Sequence, residues 1–188
     1  MDAHATDQDT DVVVVGAGPA GLFAVFQCGM ARLRCHLVDS QGQPGGQLTG
    51  LYPEKPIYDV PGHPRILAGT LVEQLAEQMA PFHPVCHWQT TVTTLAPAPD
   101  GRWACHLSSG AVVRAGAVIV ASGGGAFGPK RPPLAGLEAY EGRSVFYSVR
   151  KADTLRGKRV VIAGGGDSAV DWAITLADVA ARVMVVHR

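Results

Sequence analysis

Short apolar runs and helical stretches alternate at the start of the chain. Residues 11–15 form an apolar run that ends at a glycine, which is typical of a buried parallel strand, and residues 19–32 have a helical composition. Residues 35–38 form the next apolar run. The order strand, glycine turn, helix and strand predicts a βαβ unit with a right-handed crossover.

The middle of the chain changes from a helical to a β-rich pattern. After a Gly/Pro-rich loop over 41–64, apolar residues recur every four positions within 67–82, which predicts an amphipathic helix. A buried strand is also predicted over 117–121. Between them, β-rich stretches separated by turn residues predict an antiparallel meander, at 88–95, 103–107 and 111–114.

The end of the chain repeats the opening pattern. A strand predicted over 159–163 runs into glycines, a helix over 167–177 follows, and a second strand is predicted over 183–186. The sequence stops there, so we expect this strand to have an uncovered edge and poorly covered faces. We also expect a chain that is shortened at its C-terminus, because two complete domains of about 100–200 residues each would exceed its length.

The distribution of charge adds a preference for anions in the second half of the chain. The 16 Lys and Arg residues balance the 16 Asp and Glu residues, so the total charge favours neither nucleic acid nor a membrane as a partner. Residues 1–100 hold 4 basic and 10 acidic residues, whereas residues 101–188 hold 12 and 6. The second half is therefore expected to attract anions.

The first residues and the cysteine spacing exclude several classes of protein. Residues 1–10 are polar and acidic, without the basic flank and apolar run of a signal peptide, and no stretch of 18 apolar residues follows. We expect a disordered tail over 1–10 and a soluble, cytoplasmic protein. The four cysteines form no C-x-x-C motif and are interpreted as small buried hydrophobes, while the histidines lack the spacing of metal ligands. No metal site is predicted.

The first glycine turn has the G-x-G-x-x-G spacing of a dinucleotide-binding fingerprint, formed by Gly16, Ala17, Gly18, Pro19, Ala20 and Gly21. Gly16 permits the tight turn, Gly18 lets a pyrophosphate approach the backbone, and Gly21 lets helix and strand pack closely. Asp39 stands at the end of the next strand, where a carboxylate can accept hydrogen bonds from ribose hydroxyls. This context predicts nucleotide binding; the alternative is a glycine turn used only for packing.

The second glycine turn has the G-x-G-x-x-A variant of this spacing, formed by Gly164, Gly165, Gly166, Asp167, Ser168 and Ala169. At the distance that separates Gly16 from Asp39, the second unit has His187, followed by Arg188. A carboxylate there would repel a 2′-phosphate, whereas Arg would pair with it, so this unit is predicted to prefer NADP to NAD. The alternative is an ordinary solvated His-Arg pair at a strand end.

In this order the motifs resemble the thioredoxin-reductase-like flavoproteins, and two longer segments are similar to the ferredoxin-NADP reductases of that type. One segment contains GGQL at 45–48 and LYPEK at 51–55, and the other reads GGGDSAVDW at 164–172. Thioredoxin reductases carry a C-x-x-C dithiol before the second fingerprint, but this chain reads FYSVRK at 146–151. The resemblance therefore implies that electrons leave the flavin directly.

The resemblance also implies a fold and a domain division. It implies an α/β protein with two Rossmann-like nucleotide-binding units, namely a three-layer ββα-type FAD domain with a β-meander over 11–128 and the start of an incomplete NADP-binding domain over 129–188. It implies FAD contacts at Asp39, Gln47, Tyr52, Val92 and Phe127; Val92 can also be simple strand core. No side-chain acid, base or nucleophile is required, so no catalytic residue is predicted.

The function implied by the resemblance is electron transfer from NADPH through FAD to ferredoxin or flavodoxin, by a protein that is a homodimer when full length. Two alternatives stay open: a thioredoxin-reductase-like flavoprotein with another acceptor, and a nucleotide-binding fragment without turnover. Basic residues between 130 and 159 can meet an acidic electron carrier or the NADPH phosphates, or they can belong to a solvated linker.

Overall fold

The computed structural model describes residues 8–125, 131–149 and 151–187. The strands and helices are, in chain order, β1 (Gln8–Val15), α1 (Pro19–Met30), β2 (Cys35–Val38), α2 (Gln47–Gly50), β3 (Pro56–Ile57), β4 (Ile66–Leu67), α3 (Ala68–Met79), β5 (Val85–His87), β6 (Val92–Pro97), β7 (Trp103–Leu107), β8 (Val112–Val120), β9 (Arg159–Ala163), α4 (Asp167–Ala177) and β10 (Arg182–Val186). Three short 3-10 turns accompany them, at Ala80–Phe82, Leu137–Tyr140 and Ala152–Leu155. The chain divides into two compact units between Ser148 and Val149.

Six strands form the main sheet of the first unit, in the order β5-β2-β1-β8-β7-β6. Strands β5, β2, β1 and β8 run parallel, and β8, β7 and β6 form an antiparallel meander. Strand β8 belongs to both parts, because it pairs with β1 along most of its length and with β7 over its first residues. The α/β class and the meander predicted from the sequence are confirmed.

The parallel part of the main sheet lies between two different layers. Successive side chains of a strand point to opposite faces, so the valines of β1 alternate between two cores. On one face, strand residues pack against α1 and α3, in a cluster that includes Val12, Val14, Leu22, Leu37 and Val72. On the other face, strand residues pack with the meander, in a cluster that includes Val13, Val38, Cys105, Leu107 and Val113. This arrangement gives helix, sheet and meander layers.

Strand β1 begins earlier than the sequence pattern predicted. It starts at Gln8, whereas the pattern predicted a strand from residue 11 and a disordered tail over 1–10. Gln8 and Thr10 pair with β8, and the buried Thr10 donates its hydroxyl hydrogen to the carbonyl oxygen of Arg34 at 2.8 Å. Pairing with a strand about 100 residues away orders polar residues that have no strand signal of their own.

Other boundaries differ for similar reasons. Strand β5 was not predicted, because its three residues form a strand only by pairing with β2. The separate strands predicted at 111–114 and 117–121 form one continuous strand, β8. The Gly/Pro-rich loop predicted over 41–64 contains the short helix α2 and the strand β3.

The second unit contains the parallel strands β9 and β10 and the helix α4. Its core is formed by Ala152, Leu155 and Leu176, with Trp172 and Val183 among the residues packed against it. Several apolar side chains of the two strands are exposed, among them Val161, Val185 and Val186. This exposure agrees with the expectation of poorly covered strand faces.

Residues 131–148 group by their contacts with the first unit. The predicted domain boundary between 128 and 129 falls on residues that lie outside the described part of the chain. Within the first unit, the Ser148 hydroxyl donates a hydrogen bond to the carbonyl oxygen of Gly50 at 2.7 Å.

Over residues 8–125, 131–149 and 151–187, no helix has the length and hydropathy needed to cross a membrane.

Two glycines of the first unit stand where backbone atoms leave no room for a Cβ. Gly16 has φ +106°, and a Cβ there would collide with the carbonyl oxygen of Ala121. A Cβ on Gly21 would overlap the carbonyl oxygen of Gly16. Because backbone atoms cannot yield as a flexible side chain can, α1 packs at this distance only with glycine at position 21.

Two histidines form a pair on neighbouring strands of the main sheet. His36 of β2 is buried, and its Nδ1 lies 3.0 Å from Nε2 of His87 in β5, so one ring nitrogen donates to the other. Burial lowers the pKa of both imidazoles below 6.5, and the nearby charges of His87 and Arg34 lower the pKa of His36 further. The spacing of the histidines in the sequence gave no sign of this pair.

The lowered pKa of this pair predicts acid sensitivity of the fold. The unfolded chain, whose histidines titrate near 6.5, takes up protons before the folded chain does, so the free energy of unfolding should fall as the pH drops below 6.5 and level off at the folded-state pKa. Urea unfolding between about pH 5 and about pH 8 measures this slope. The His36→Gln variant should flatten it, and His106→Gln, at an exposed position, should not. An unchanged slope in His36→Gln would show that the His36–His87 pair does not cause the acid sensitivity.

The packing at Gly21 predicts a matched pair of alanine variants. Gly21→Ala should destabilise the fold by about 1–3 kcal/mol, because the added methyl group meets backbone. Gly18→Ala should have little effect on stability, because a Cβ there has nothing within 4 Å. Urea unfolding of both apoproteins measures the difference. Equal stability of the two variants would show that the helix shifts without penalty.

Candidate functional site

The first glycine turn connects β1 to the N-terminus of α1. The N–H of Gly16 donates to the carbonyl oxygen of Val38 at 2.8 Å, which joins the turn to the end of β2. Gly18 is the residue before the helix, and Pro19 occupies its first turn. No acidic residue lies in this first turn, so the free N–H groups and the dipole of α1 favour an anion there.

Asp39, the first residue after β2, is held in one orientation beside this turn. Its Oδ2 accepts a hydrogen bond from the N–H of Ala17 at 2.6 Å, and its Oδ1 accepts one from the N–H of Gln41 at 2.7 Å. The side chain is buried, and each carboxylate oxygen can accept a further hydrogen bond. The carboxylate is therefore preorganised to receive hydroxyl groups.

A second loop comes close to the same turn. The N–H of Gly45 donates to the carbonyl oxygen of Ala17 at 2.7 Å, and Gly45 has φ +114°. A Cβ on Gly46 would lie 3.3 Å from the Cα of Gly18. This approach brings α2, which begins at Gln47, over the glycine turn.

These segments enclose a cavity of about 550 Å³ at the carboxyl ends of β1, β2 and β8. This volume lies within the range of small-molecule and cofactor sites. Most residues predicted to contact the first cofactor line it, namely Gly16, Gly18, Pro19, Ala20, Asp39, Gln47, Tyr52 and Val92. Gly21 does not line the cavity; it lies behind the turn, in the helix packing described above. Phe127 lies outside the described residues.

Sequence reasoning missed part of this cavity. Thr90 and Thr91 line it, and Thr90 is held by its N–H, which donates to the carbonyl oxygen of Asp39 at 2.9 Å. Residues 122–125 line the side where β8 ends. The run of glycines within 122–125 can be recognised in the sequence as a turn. The two threonines cannot be recognised in this way, because they become neighbours of Asp39 only through the β2–β5 pairing.

The second glycine turn repeats the backbone geometry of the first. The N–H of Gly164 donates to the carbonyl oxygen of Val186 at 3.0 Å, and Gly166 precedes α4 as Gly18 precedes α1. Asp167 and Ser168 lie exposed in the first turn of α4. Ala169 stands where the first unit has Gly21, and its Cβ lies 3.7 Å from the position that a Cβ on Gly164 would take.

His187 occupies in the second unit the position of Asp39 in the first. It is the first residue after β10, and its imidazole lies against Gly165, the middle residue of the turn. The two equivalent positions thus carry an acid in one unit and an imidazole in the other. Arg188, the other predicted 2′-phosphate ligand, lies outside the described residues.

Three of the four cysteines lie in surroundings that disfavour the thiolate. Cys28 of α1 and Cys35 of β2 interact in the helix-side core, a proximity that spacing did not predict. Burial, with a smaller contribution from Cys28, raises the pKa of the Cys35 thiol to about 12. Burial also raises the pKa of Cys86 and Cys105. Because the thiolate is the reactive form, these three groups are poor nucleophiles.

Comparisons with known proteins agree with this geometry. The chain is 67% identical over 180 residues to a ferredoxin–NADP reductase of Paramagnetospirillum magneticum, an alignment that covers 96% of this chain and 53% of that protein. It is 62% identical over 189 residues to a ferredoxin–NADP reductase of Rhodospirillum rubrum, covering 99% and 55% of the two chains. The crystal structure of Lactococcus lactis thioredoxin reductase in its FR conformation superposes with a TM-score of 0.75 at 26% identity, covering 95% and 56%.

The chain spans about half the length of these curated relatives. The predicted resemblance to ferredoxin–NADP reductases and to thioredoxin-reductase-like proteins is confirmed by them. Residues 10–188 match a single family description, that of the pyridine nucleotide-disulphide oxidoreductases. Since this match includes both glycine turns and nearly the whole chain, the protein belongs to the pyridine nucleotide-disulphide oxidoreductase family.

Proposed function

We propose that this chain forms the FAD-binding part and the start of the NADPH-binding part of a ferredoxin–NADP reductase. The observation that carries the proposal is the charge difference at two equivalent positions, Asp39 beside the first glycine turn and His187 beside the second. An acid suits a ribose with free hydroxyls, whereas an imidazole followed by Arg188 suits a 2′-phosphate. The names of the relatives that share 62–67% identity with this chain support the same pairing of cofactors.

The residues of the first unit fit an adenine dinucleotide. Gly18 leaves open space where a side chain would stand, and the N-terminus of α1 presents N–H groups to a pyrophosphate. Asp39 accepts the ribose hydroxyls in the orientation set by Ala17 and Gln41. Gln47 and Tyr52 close the cavity from the loop side, and we assign Val92 to the adenine end.

The first glycine turn, Asp39, Gln47 and Tyr52 would hold FAD, which would supply hydride acceptance from NADPH and one-electron release as chemistry of the cofactor itself. The protein would supply orientation of the two cofactors, so no side chain needs to act as acid, base or nucleophile. The raised pKa of the Cys35 thiol is consistent with this scheme, because no dithiol relay is required.

A ferredoxin is the proposed acceptor, and a flavodoxin is a second acidic carrier of the same kind. Of the basic residues between 130 and 159, Arg131 pairs with Glu141 at 2.9 Å, and Arg156 pairs with Asp153. Exposed Arg143, Lys151, Lys158 and Arg159 are the candidate contacts to an acidic partner. The proposal includes a cytoplasmic, homodimeric protein.

The acceptor is tested by reduction assays with NADPH as donor. The purified protein should reduce a ferredoxin at least about tenfold faster than a thioredoxin or a small quinone. Faster reduction of thioredoxin or quinone would support a relative with another acceptor. A bound flavin that NADPH fails to bleach would instead support a nucleotide-binding fragment without turnover and would defeat the enzyme proposal.

The cofactor preference is tested by a charge change at the end of β10. His187→Asp should raise the KM for NADPH about tenfold or more and leave the KM for NADH nearly unchanged, because the carboxylate repels the 2′-phosphate. Arg182→Asp makes a similar change at the other end of the same strand and serves as the control. If both variants raise the KM for NADPH equally, His187 does not face the phosphate.

A further inference from the structure

The middle glycine of the second turn lies directly under an aromatic ring. An ideal Cβ on Gly165 would meet the imidazole of His187 at 2.5 Å from Cγ, 2.6 Å from Nδ1 and 2.7 Å from Cδ2. Real Cβ atoms do not approach other heavy atoms so closely. The ring therefore occupies the volume that any side chain at position 165 would need.

Backbone conformation does not explain the glycine at this position. Gly16 and Gly164 have φ of +106° and +151°, in the region that disfavours other residues. Gly165 is not among the glycines with positive φ, so an alanine could adopt its backbone conformation. The contact with His187 is the feature that separates Gly165 from an ordinary turn residue.

The first turn carries a side chain at the equivalent position. Its middle residue is Ala17, which is fully buried and donates its N–H to the carboxylate of Asp39 at 2.6 Å. A carboxylate accepts this bond at its edge and leaves space for a methyl group. The imidazole of His187 instead lies against the turn itself, which only glycine allows.

We propose that Gly165 is a specificity-determining positioning residue, whose missing side chain lets His187 rest against the turn and present its ring to the 2′-phosphate of NADPH. This inference rests on the proposed function, because it assigns the nucleotide to the second unit. An imidazole held at one place can donate an N–H to a phosphate oxygen without first losing rotamer freedom. A displaced imidazole would lose this hydrogen bond and leave the adenosine contacts intact.

The test compares two nucleotides that differ only in the 2′-phosphate. In Gly165→Ala, the affinity of the purified protein for 2′,5′-ADP should fall about tenfold, and its affinity for 5′-AMP should stay within about twofold. Calorimetric titration measures both without turnover. In steady-state assays the KM for NADPH should rise while kcat is unchanged.

A double-mutant cycle separates positioning from a structural effect. His187→Ala should also weaken 2′,5′-ADP binding, and adding Gly165→Ala to it should cause no further loss, because the ring that the methyl group displaces is gone. The clash involves an exposed side chain, so the melting temperature of Gly165→Ala should stay close to wild type. Additive losses, or unfolding of both the single and the double variant, would overturn the inference.

The outcomes distinguish this inference from the proposed function. If the wild-type protein binds 2′,5′-ADP no better than 5′-AMP, the assignment of NADPH to the second unit fails. If the wild type discriminates between the two and Gly165→Ala discriminates equally well, the proposed function stands and the positioning role of Gly165 is wrong.

Discussion

One backbone hydrogen bond, made once in each unit, determines which residue lies beside each glycine turn. The first glycine of each turn donates its N–H to the carbonyl oxygen of the last residue of the neighbouring strand, from Gly16 to Val38 and from Gly164 to Val186. This bond fixes the register between the turn and that strand. The next residue along the chain must then lie beside the middle of the turn, and it is Asp39 or His187.

The same geometry therefore presents two different chemistries. In the first unit, the buried carboxylate of Asp39 accepts two backbone N–H groups, which fix it and keep its remaining lone pairs available to hydroxyls. In the second unit, the imidazole contacts the turn through its face, and the space for it comes from Gly165. The size of the middle residue of each turn thus suits the residue that follows the second strand. The G-x-G-x-x-G fingerprint itself allows any residue at this middle position.

How far the sequence predicts the structure depends on the range of the interactions. The βαβ units, α4 and the residues of both turns could be predicted, because glycine spacing and apolar periodicity are local signals. The strand β5 and the His36–His87 pair could not, because each exists only through pairing between segments that are far apart in the sequence. The Cys28–Cys35 contact could not either, because it depends on how α1 lies beside β2. Thr90 was missed for the same reason, since it reaches the cavity through its hydrogen bond to Asp39.

Helix packing and the identity of the residue beside the turn are separate features of the two units. Gly21 allows α1 to approach until no Cβ fits, whereas the equivalent Ala169 carries a Cβ that lies 3.7 Å from the position that a Cβ on Gly164 would take. The N–H to carbonyl bond between turn and strand is nevertheless present in both units, at 2.8 and 3.0 Å. The third position of the fingerprint therefore differs between the units without removing this bond, while the position after the second strand carries an acid in one unit and an imidazole in the other.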